Sequence, residues 1–396
     1  MKKYLPFYIA FLIICLGCSE KPWLSGTVEM PSDSNWKPMV YLVQPNSWSD
    51  VAQSFVGQVL DSAEVRSDGS FRFKKPLIFD KPVLLEVTIQ QEGEKYPNRL
   101  AHVNPETDNY FPLVVSVREQ ITVRAKMGKF QSTFEVIHPS KANAEIMRLQ
   151  KVRTKAYKDF IEPSEKENKS DEQLLEKEKA VHEYQSRLMH FADATQEVLP
   201  ALVAIKWASP EGDFERIPEL LFQQSQKWAA LVPNHPWVKE LGKAADKGQL
   251  PILVGDAIPN LSIPMKTGDV LHLNEVLNNK KLLLLDVWAS WCAPCRVENR
   301  NVLVPLWEKY HTSGFEILAY GLESSPTAWD KAIERDGAYR WLHASHLKGD
   351  QNPFMEALRL RTIPANFLLD GNGKVLAKNL HGDELMAFFD NYIWDN

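Results

Sequence analysis

The residues best suited to chemistry in this sequence are two cysteines separated by two residues, Cys292 and Cys295. They follow an apolar run, 282–288, that predicts a buried strand, and they open a segment that predicts a helix. Two cysteines on a first helical turn can form a compact disulfide, and the unpaired N–H groups at a helix N-terminus stabilise a thiolate. This spacing predicts that Cys292 is a nucleophile that forms a mixed disulfide with a substrate, and that the more buried Cys295 resolves it.

A C-x-x-C pair can also be half of a zinc site or an attachment site for c-type haem. His343 and His346 could supply the other two zinc ligands, but their spacing is shorter than is usual in such sites. Haem attachment needs His directly after the second cysteine, where this sequence has Arg296. Redox chemistry is therefore the favoured interpretation, and no metal or other cofactor is expected.

The segment 288–295, W-A-S-W-C-A-P-C, resembles the thioredoxin superfamily. The longer stretch from Gly255 to about Tyr392 is similar to the membrane-tethered TlpA/ResA-type thioredoxins. This resemblance implies that Asp286, six residues before the first cysteine, relays protons toward the resolving thiol. A buried carboxyl group with a raised pKa suits that task, although an Asp held by neighbouring polar groups is the alternative.

The same resemblance implies further site residues. Ile363 and Pro364 match the loop whose proline is cis and whose neighbours pair with the substrate backbone. Trp291 would form part of an apolar docking surface for the substrate, and the alternative is that it is a packing residue. Glu323 matches an acid found at the active site of some ResA-like members, and the alternative is an ordinary exposed glutamate. The sequence departs from the family at Arg300, where many relatives have a proline that kinks the active-site helix.

The elements around this site predict an α/β fold for residues 251–396. Apolar runs at 282–288, 315–320 and 366–369 alternate with helical segments, and such continuous apolar strands imply a sheet that is covered on both faces. The turn residues 370–373 predict a hairpin that completes the sheet. The resemblance identifies this region as a thioredoxin-like domain.

Two further regions are expected before it, so the fold class is multidomain. Residues 18–139 predict an all-β module, with strand-like runs and a hairpin signal at Asp68-Gly69. Residues 140–250 predict helices, with a capping box that starts at Ser170. The strand-like runs of the first region include 39–43, 82–89 and 112–117, and the apolar positions at helical spacing in the second include Leu174, Val181, Tyr184, Leu188 and Phe191.

The N-terminal segment has the pattern of a secretory signal peptide. A basic start precedes an apolar run from Leu5 to Leu16 that is too short to span a bilayer as a helix. The sequence that follows resembles a bacterial lipobox, which predicts a signal peptide at 1–17 and lipidation of Cys18, although Cys15 stands where the family usually has an aliphatic residue. Because the chain has four cysteines, cleavage would leave one pair, and a disulfide closing so short a loop stabilises little. Chemistry explains the pair better than stapling does.

Composition fits a folded, water-soluble body of two or three domains. The chain has 396 residues, of which 44% are hydrophobic and 24% charged, with a net charge of −5. This charge argues against nucleic acid as a partner.

The function predicted from these observations is a thiol–disulfide oxidoreductase of the cell envelope, facing the periplasm from a bacterial membrane through a lipid anchor. The dipeptide Ala293-Pro294 resembles those of reducing family members, which favours reduction of disulfides in exported proteins or apocytochromes, with a membrane electron donor. A disulfide isomerase or oxidase is the alternative within this class. A lipid-anchored binding protein, whose thioredoxin-like domain only presents a partner, is the alternative from another class.

Overall fold

The computed structural model of this protein describes residues 22–395 except 32–34, 55, 76, 78, 98–103, 166–170, 211 and 213. The predicted signal peptide, the lipidation residue Cys18 and the capping residue Ser170 lie outside the described residues. Within the described ranges, no helix combines the length and the apolar character that crossing a membrane requires.

The first part of the chain forms two four-stranded sheets. Its strands are β1 (Leu24–Glu29), β2 (Trp36–Gln44), β3 (Gln58–Glu64), β4 (Ser70–Phe73), β5 (Val83–Gln91), β6 (Tyr110–Val115), β7 (Ile121–Lys126) and β8 (Glu135–Ile137). One sheet has the order β4-β1-β7-β8 and the other β3-β2-β5-β6. The predicted runs at 39–43, 82–89 and 112–117 fall largely within β2, β5 and β6.

The hairpin predicted at Asp68-Gly69 is wrong as a pairing of two strands. The turn itself forms, because the Gly69 N–H donates to the Arg66 carbonyl at 2.8 Å and Gly69 has a φ of 78°. However, β3 pairs with β2, whereas β4 pairs with β1 in the other sheet. Val65, just before the turn, is buried, and its N–H donates to the Pro38 carbonyl. Turn residues specify the local reversal, but this burial directs the two strands into different sheets.

Among the described residues, seven helices follow β7 and end before residue 250; the first of them precedes β8. They are α1 (Phe130–Thr133), α2 (Lys141–Ala156), α3 (Glu162–Glu165), α4 (Asp171–Ala194), α5 (Val198–Ala208), α6 (Pro218–Leu231) and α7 (Pro236–Ala244). Tyr184, Leu188 and Phe191 of α4 are buried, as their spacing predicts. The buried side chains of these helices and of both sheets form one continuous core, from Trp23 to Leu253.

The last part of the chain is an α/β unit with a separate core. Its strands are β9 (Ser262–Pro264), β10 (Val270–His272), β11 (Leu282–Trp288), β12 (Phe315–Gly321), β13 (Leu342–Ala344), β14 (Ala365–Asp370) and β15 (Val375–Lys378). Its helices are α8 (Leu273–Leu277), α9 (Ala293–Glu298), α10 (Val304–Tyr310), α11 (Pro326–Arg335), α12 (Pro353–Leu358) and α13 (Gly382–Asp395). A π-helical turn, Asn299–Leu303, joins α9 to α10.

The central strand of this unit, β11, leads to the cysteines. The five-stranded sheet has the order β13-β12-β11-β14-β15, with β11, β12 and β13 parallel and the other two strands antiparallel to their neighbours. Every residue of β11 is buried, which agrees with its uninterrupted apolar sequence. The predicted hairpin at 370–373 is confirmed, since β14 pairs with β15 across a turn in which the Gly373 N–H donates to the Asp370 carbonyl.

The helical region contacts the α/β unit through two sets of side chains. Lys378 is nearly buried and forms an ion pair with Glu219 at 2.8 Å, while its ammonium also donates to the Ile252 carbonyl. The Arg359 guanidinium donates to the Lys247 carbonyl at 2.7 Å. Elsewhere, α4 lies alongside α9. The helical region therefore borders the helix that carries the cysteines.

Candidate active site

Cys292 and Cys295 are joined by a disulfide at the junction of β11 and α9, and their Cα atoms are 5.3 Å apart. Cys292 is the N-cap residue of α9, and its sulfur accepts the Cys295 N–H at 3.3 Å. Both cysteines are almost fully buried, with exposed fractions of 5% and 3%. An N–H group directed at Sγ stabilises a thiolate at that atom, so this geometry suits Cys292 to nucleophilic attack once the pair is reduced.

Two buried carboxyl groups flank the cysteines along the chain. Asp286 is in β11, and Glu298 is three residues after Cys295, on the same face of the active-site helix. Burial, and secondarily the negative charge of Glu298, raise the pKa of Asp286 to about 7, with His381 acting in the opposite direction. A carboxyl group with such a pKa exchanges protons near neutral pH, which is what deprotonation of a buried thiol requires.

His381 completes this group from the segment that follows β15. Its Nδ1 lies 3.4 Å from Oε2 of Glu298, and the neighbouring Gly382 N–H donates to the other carboxylate oxygen at 3.1 Å. Burial disfavours the imidazolium, but Glu298, Asp286 and, from helix α4, Glu178 together raise the pKa of His381. A cation here partly compensates two carboxyl groups that would otherwise repel each other.

A second set of contacts holds the loop before the nucleophile. Glu323 is buried and accepts both the backbone N–H and the hydroxyl of Ser290, the latter at 2.9 Å. The Arg296 guanidinium donates to the Ser290 carbonyl at 3.1 Å and to the fully buried carboxylate of Asp336, which Arg300 also contacts at 2.9 Å. Ser290 is thus fixed from both sides, so the start of α9 is held by charge-assisted hydrogen bonds.

The outer face of the site contains an exposed aromatic ring and a cis peptide bond. Trp291 is 65% exposed, although tryptophan is usually well buried. The Ile363–Pro364 bond is cis, and both residues are half-buried. Pro364 directly precedes β14, the antiparallel neighbour of β11. Trp291 and the cis-proline loop therefore both offer part of their surface to solvent.

The two histidines considered as zinc ligands have other partners. His343 is buried and its Nε2 lies 2.7 Å from the Ala338 carbonyl, while burial lowers its pKa to about 4. His346 contacts the hydroxyl of Tyr320. Both side chains thus take part in packing of the α/β unit.

The sequence did not predict the site roles of four residues. They are Glu298, His381, Asp336 and Arg296, which holds the loop at Ser290. Glu298 had a local signal, since it is one helical turn from Cys295 on a helix that the sequence predicts. His381 and Asp336 had none, because each reaches the site from an element distant in sequence. At Arg300 the helix continues through a π-helical turn, and Arg300 contacts the Asp336 carboxylate.

Comparisons with known proteins concern the C-terminal third. Residues 253–388 match the Redoxin family. The thiol:disulfide interchange protein HelX of Rhodobacter capsulatus is 27% identical over 127 residues, which cover 32% of this chain and 67% of HelX. The thiol-disulfide oxidoreductase ResA of Oceanobacillus iheyensis is 27% identical over 126 residues, and this chain spans 62% of its length.

Among solved structures, the thioredoxin domain of a thiol-disulfide oxidoreductase from Bacteroides vulgatus is 27% identical, with a TM-score of 0.33. The match covers 36% of this chain and 99% of that domain. A thiol-disulfide oxidoreductase from Bacteroides fragilis is 28% identical, with a TM-score of 0.32, and the match covers 34% of this chain and 98% of that protein.

Proposed function

We propose that this chain, whose residues 253–388 form a Redoxin domain with homologues among the thiol-disulfide oxidoreductases, reduces disulfides of other proteins through Cys292 and Cys295. The observation that carries the proposal is the Cys292–Cys295 disulfide at a helix start, with the buried Asp286 in the strand that leads to it. A stapling disulfide would have no use for an ionisable group in a position that burial makes unfavourable.

The first step is attack by the reduced enzyme. The Cys292 thiolate, favoured by the Cys295 N–H, attacks one sulfur of a substrate disulfide. A sulfur–sulfur bond forms between enzyme and substrate as the substrate's own bond breaks, and the released thiolate takes a proton from solvent. Trp291 and the cis-proline loop, Ile363 and Pro364, bind the substrate chain at this stage.

The second step resolves the mixed disulfide. The Asp286 carboxylate accepts the proton of the Cys295 thiol, since its raised pKa brings the two groups closer in acidity. The Cys295 thiolate attacks Cys292, which re-forms the internal disulfide and releases the second substrate thiolate. Two electrons have then moved from enzyme to substrate. Burial raises the pKa of Asp286, Glu298 raises it further and His381 opposes the rise, while Glu323 positions the loop at Ser290.

Repeated turnover needs an external dithiol that returns two electrons to the oxidised pair, and we assign this task to a membrane electron donor. The substrates are disulfide-containing exported proteins, with oxidised apocytochromes among the candidates. A signal peptide at 1–17 and lipidation at Cys18 would anchor the chain to a membrane of the cell envelope, facing the periplasm. Residues 18–139, 140–250 and 251–396 are the proposed domains.

Turnover of a disulfide-bonded polypeptide, driven by a chemical dithiol, tests the activity. We expect Cys292→Ser to abolish turnover above the uncatalysed rate, whereas the matched change Cys18→Ser leaves it unaltered. Unchanged turnover by the Cys292 variant would overturn the proposal. The direction of electron flow follows from the reduction potential of the pair, measured in thiol–disulfide buffers. A value near or below about −230 mV supports a reductase, and a value near −120 to −180 mV supports an oxidase or isomerase instead.

A further inference from the structure

A cavity of about 560 Å³ lies between the helical region and the α/β unit. One side is formed by α4 residues such as Glu176 and His182, and the other by the cis-proline loop and by the start of α13. Val297, two residues after Cys295, also lines it. The cavity therefore reaches both the active-site helix and the cis-proline loop.

Two side-chain contacts cross this cavity between α4 and α13. Lys179 of α4 lies 3.4 Å from Asp383 of α13, and the imidazole of His182 lies 3.8 Å from the carboxylate of Glu384. These side chains are largely exposed, so the contacts are weak individually and leave the cavity open to solvent.

The charged lining is mainly acidic. Four carboxylate side chains face two permanent cations, and the imidazoles of His182 and His381 also line the cavity. The acids are Glu176, Glu178, Asp383 and Glu384, and the cations are Lys179 and Arg216. Arg216 pairs with Glu178 at 2.9 Å, and Lys179 with Asp383, whereas no partner of Glu176 is present among the described residues. The excess of carboxylates favours a ligand with basic side chains.

The polypeptide backbone beside the cavity is also available for pairing. Within the described part of the chain, no hydrogen bond occupies the main-chain groups of Thr362 or Ile363, which line the cavity just before β14. An extended segment can form main-chain hydrogen bonds with such groups in the loop before β14. A wall of side chains opposite that loop would then contact the residues that flank the paired segment.

We propose that α4 forms the second wall of the substrate groove and that the groove binds an extended polypeptide segment with basic side chains beside its disulfide. This inference rests on the proposed function and assigns a role in substrate selection to the helical region. The basic side chains lie against Glu176 and the neighbouring acids, while the disulfide reaches Cys292.

The test compares two disulfide-containing peptides of equal length that differ only in having lysine or glutamate beside the cystine. The measured quantity is the ratio of kcat/KM for the basic peptide to that for the acidic peptide, which does not depend on the fraction of folded enzyme. We expect a ratio of about five or more for the unaltered protein. A ratio near one would overturn the inference.

Two charge reversals on the same helix sharpen this test. Glu176→Lys changes the groove wall and should bring the ratio to about one or below. Glu183→Lys makes the same change in charge at a residue that pairs with Arg187 and does not line the cavity, so it should leave the ratio unaltered. Equal effects of the two variants would contradict a specific wall.

Salt dependence and a small disulfide give two further readouts that need no variant. Raising ionic strength from about 0.01 M to about 1 M should collapse the ratio, because it screens exposed charges, and a ratio insensitive to salt would contradict the inference. If the unaltered protein reduces neither the peptides nor a small disulfide such as 2-hydroxyethyl disulfide, the proposed function fails. If it reduces the small disulfide and both peptides equally well, only the groove inference fails.

Discussion

Each of the two cores of this molecule contains a cluster of buried ionisable groups, with a matched pair of opposite charges in one cluster and a mismatched pair of carboxyl groups in the other. In the N-terminal core, Arg153 and Asp108 form an ion pair at 2.8 Å, and both side chains are 1% exposed. The guanidinium also donates to Tyr184 at 3.2 Å and contacts Gln131. In the C-terminal core, Asp286 faces a second carboxyl group, Glu298.

This difference indicates that the buried charges of the first cluster have a structural role and those of the second a chemical role. The opposite charges of the Arg153 cluster join β-sheet and helical elements, and their hydrogen bonds offset the loss of hydration. In the C-terminal cluster, burial and, secondarily, the negative charge of Glu298 raise the pKa of Asp286, so this carboxyl group retains its proton to a higher pH. The two clusters therefore lead to predictions about stability and catalysis that can be tested separately.

Loss of the matched pair should have the largest effect on stability. Arg153→Ala leaves Asp108 buried without its cation, and we expect the free energy of unfolding to fall by about 3 to 5 kcal/mol in chemical denaturation. Lys155→Ala, on the same helix, removes an exposed ion pair with Asp159 and should change it by less than about 0.5 kcal/mol. Similar losses in both variants would show that the buried pair has no special role.

The mismatched site should make stability depend on pH. Between about pH 4 and 7 the unfolded chain releases a proton that folded Asp286 retains, so the folded state binds more protons and stability falls as the pH rises. A shift of this size corresponds to roughly 4 kcal/mol over the window. Asp286→Asn should remove that part of the decline, measured as the difference between its unfolding curves and those of the unaltered protein. Parallel pH profiles for the two proteins would contradict a raised pKa at Asp286.

The same substitution should slow catalysis by about 100-fold near neutral pH, because Cys295 loses its base. The rate of the unaltered protein should rise with pH through about 7, the pKa of Asp286, and the variant should lack this rise. Glu86→Gln provides a control in the other core, where burial raises the pKa of Glu86 to about 8. Loss of the inflection in the Glu86 variant instead would place the catalytic proton elsewhere.

Weakening the Asp336 contacts with Arg296 and Arg300, which help to hold Ser290, should have the smallest effect on stability and turnover. Asp336→Asn weakens the charge-assisted bonds to Arg296 and Arg300, and we expect a loss of about 1 to 2 kcal/mol in stability with a few-fold lower turnover. Asp330 lies in α11, the helix that precedes Asp336, and forms an exposed ion pair with Lys266. Asp330→Asn is therefore the matched control and should be neutral. If both variants behave alike in thermal unfolding and in turnover, the Asp336 contacts do not hold the loop.

Sequence predicted the C-terminal unit well because its signals are local. The run 282–288 coincides with β11, and the turn 370–373 joins β14 to β15. The pairing around Asp68-Gly69 failed because a turn signal does not specify which sheet receives each strand. Elements on both sides of the proposed boundary at residue 139 contribute to one core, and local signals do not reveal this contact because burial links residues far apart in the chain.

The candidate site shows the same contrast. Cys292, Cys295 and Asp286 belong to one strand–loop–helix segment, so spacing and family resemblance pointed to them together. His381 arrives from beyond β15 and Glu178 from the helical region, and no periodicity relates either to the cysteines. The influence of His381 on Asp286, and of Glu178 on His381, depends on tertiary packing alone.

The most direct test of disulfide exchange through Cys292 is capture of its mixed disulfide. Reduced Cys295→Ser enzyme, which lacks the resolving thiol, is mixed with a disulfide-bonded polypeptide, and the adduct is mapped by mass spectrometry. A stable adduct through Cys292, absent from the Cys292→Ser variant, is the predicted result. Failure of the Cys295 variant to form any adduct, or attachment through Cys295 in the Cys292 variant at an equal rate, would contradict the assignment of Cys292 as the nucleophile.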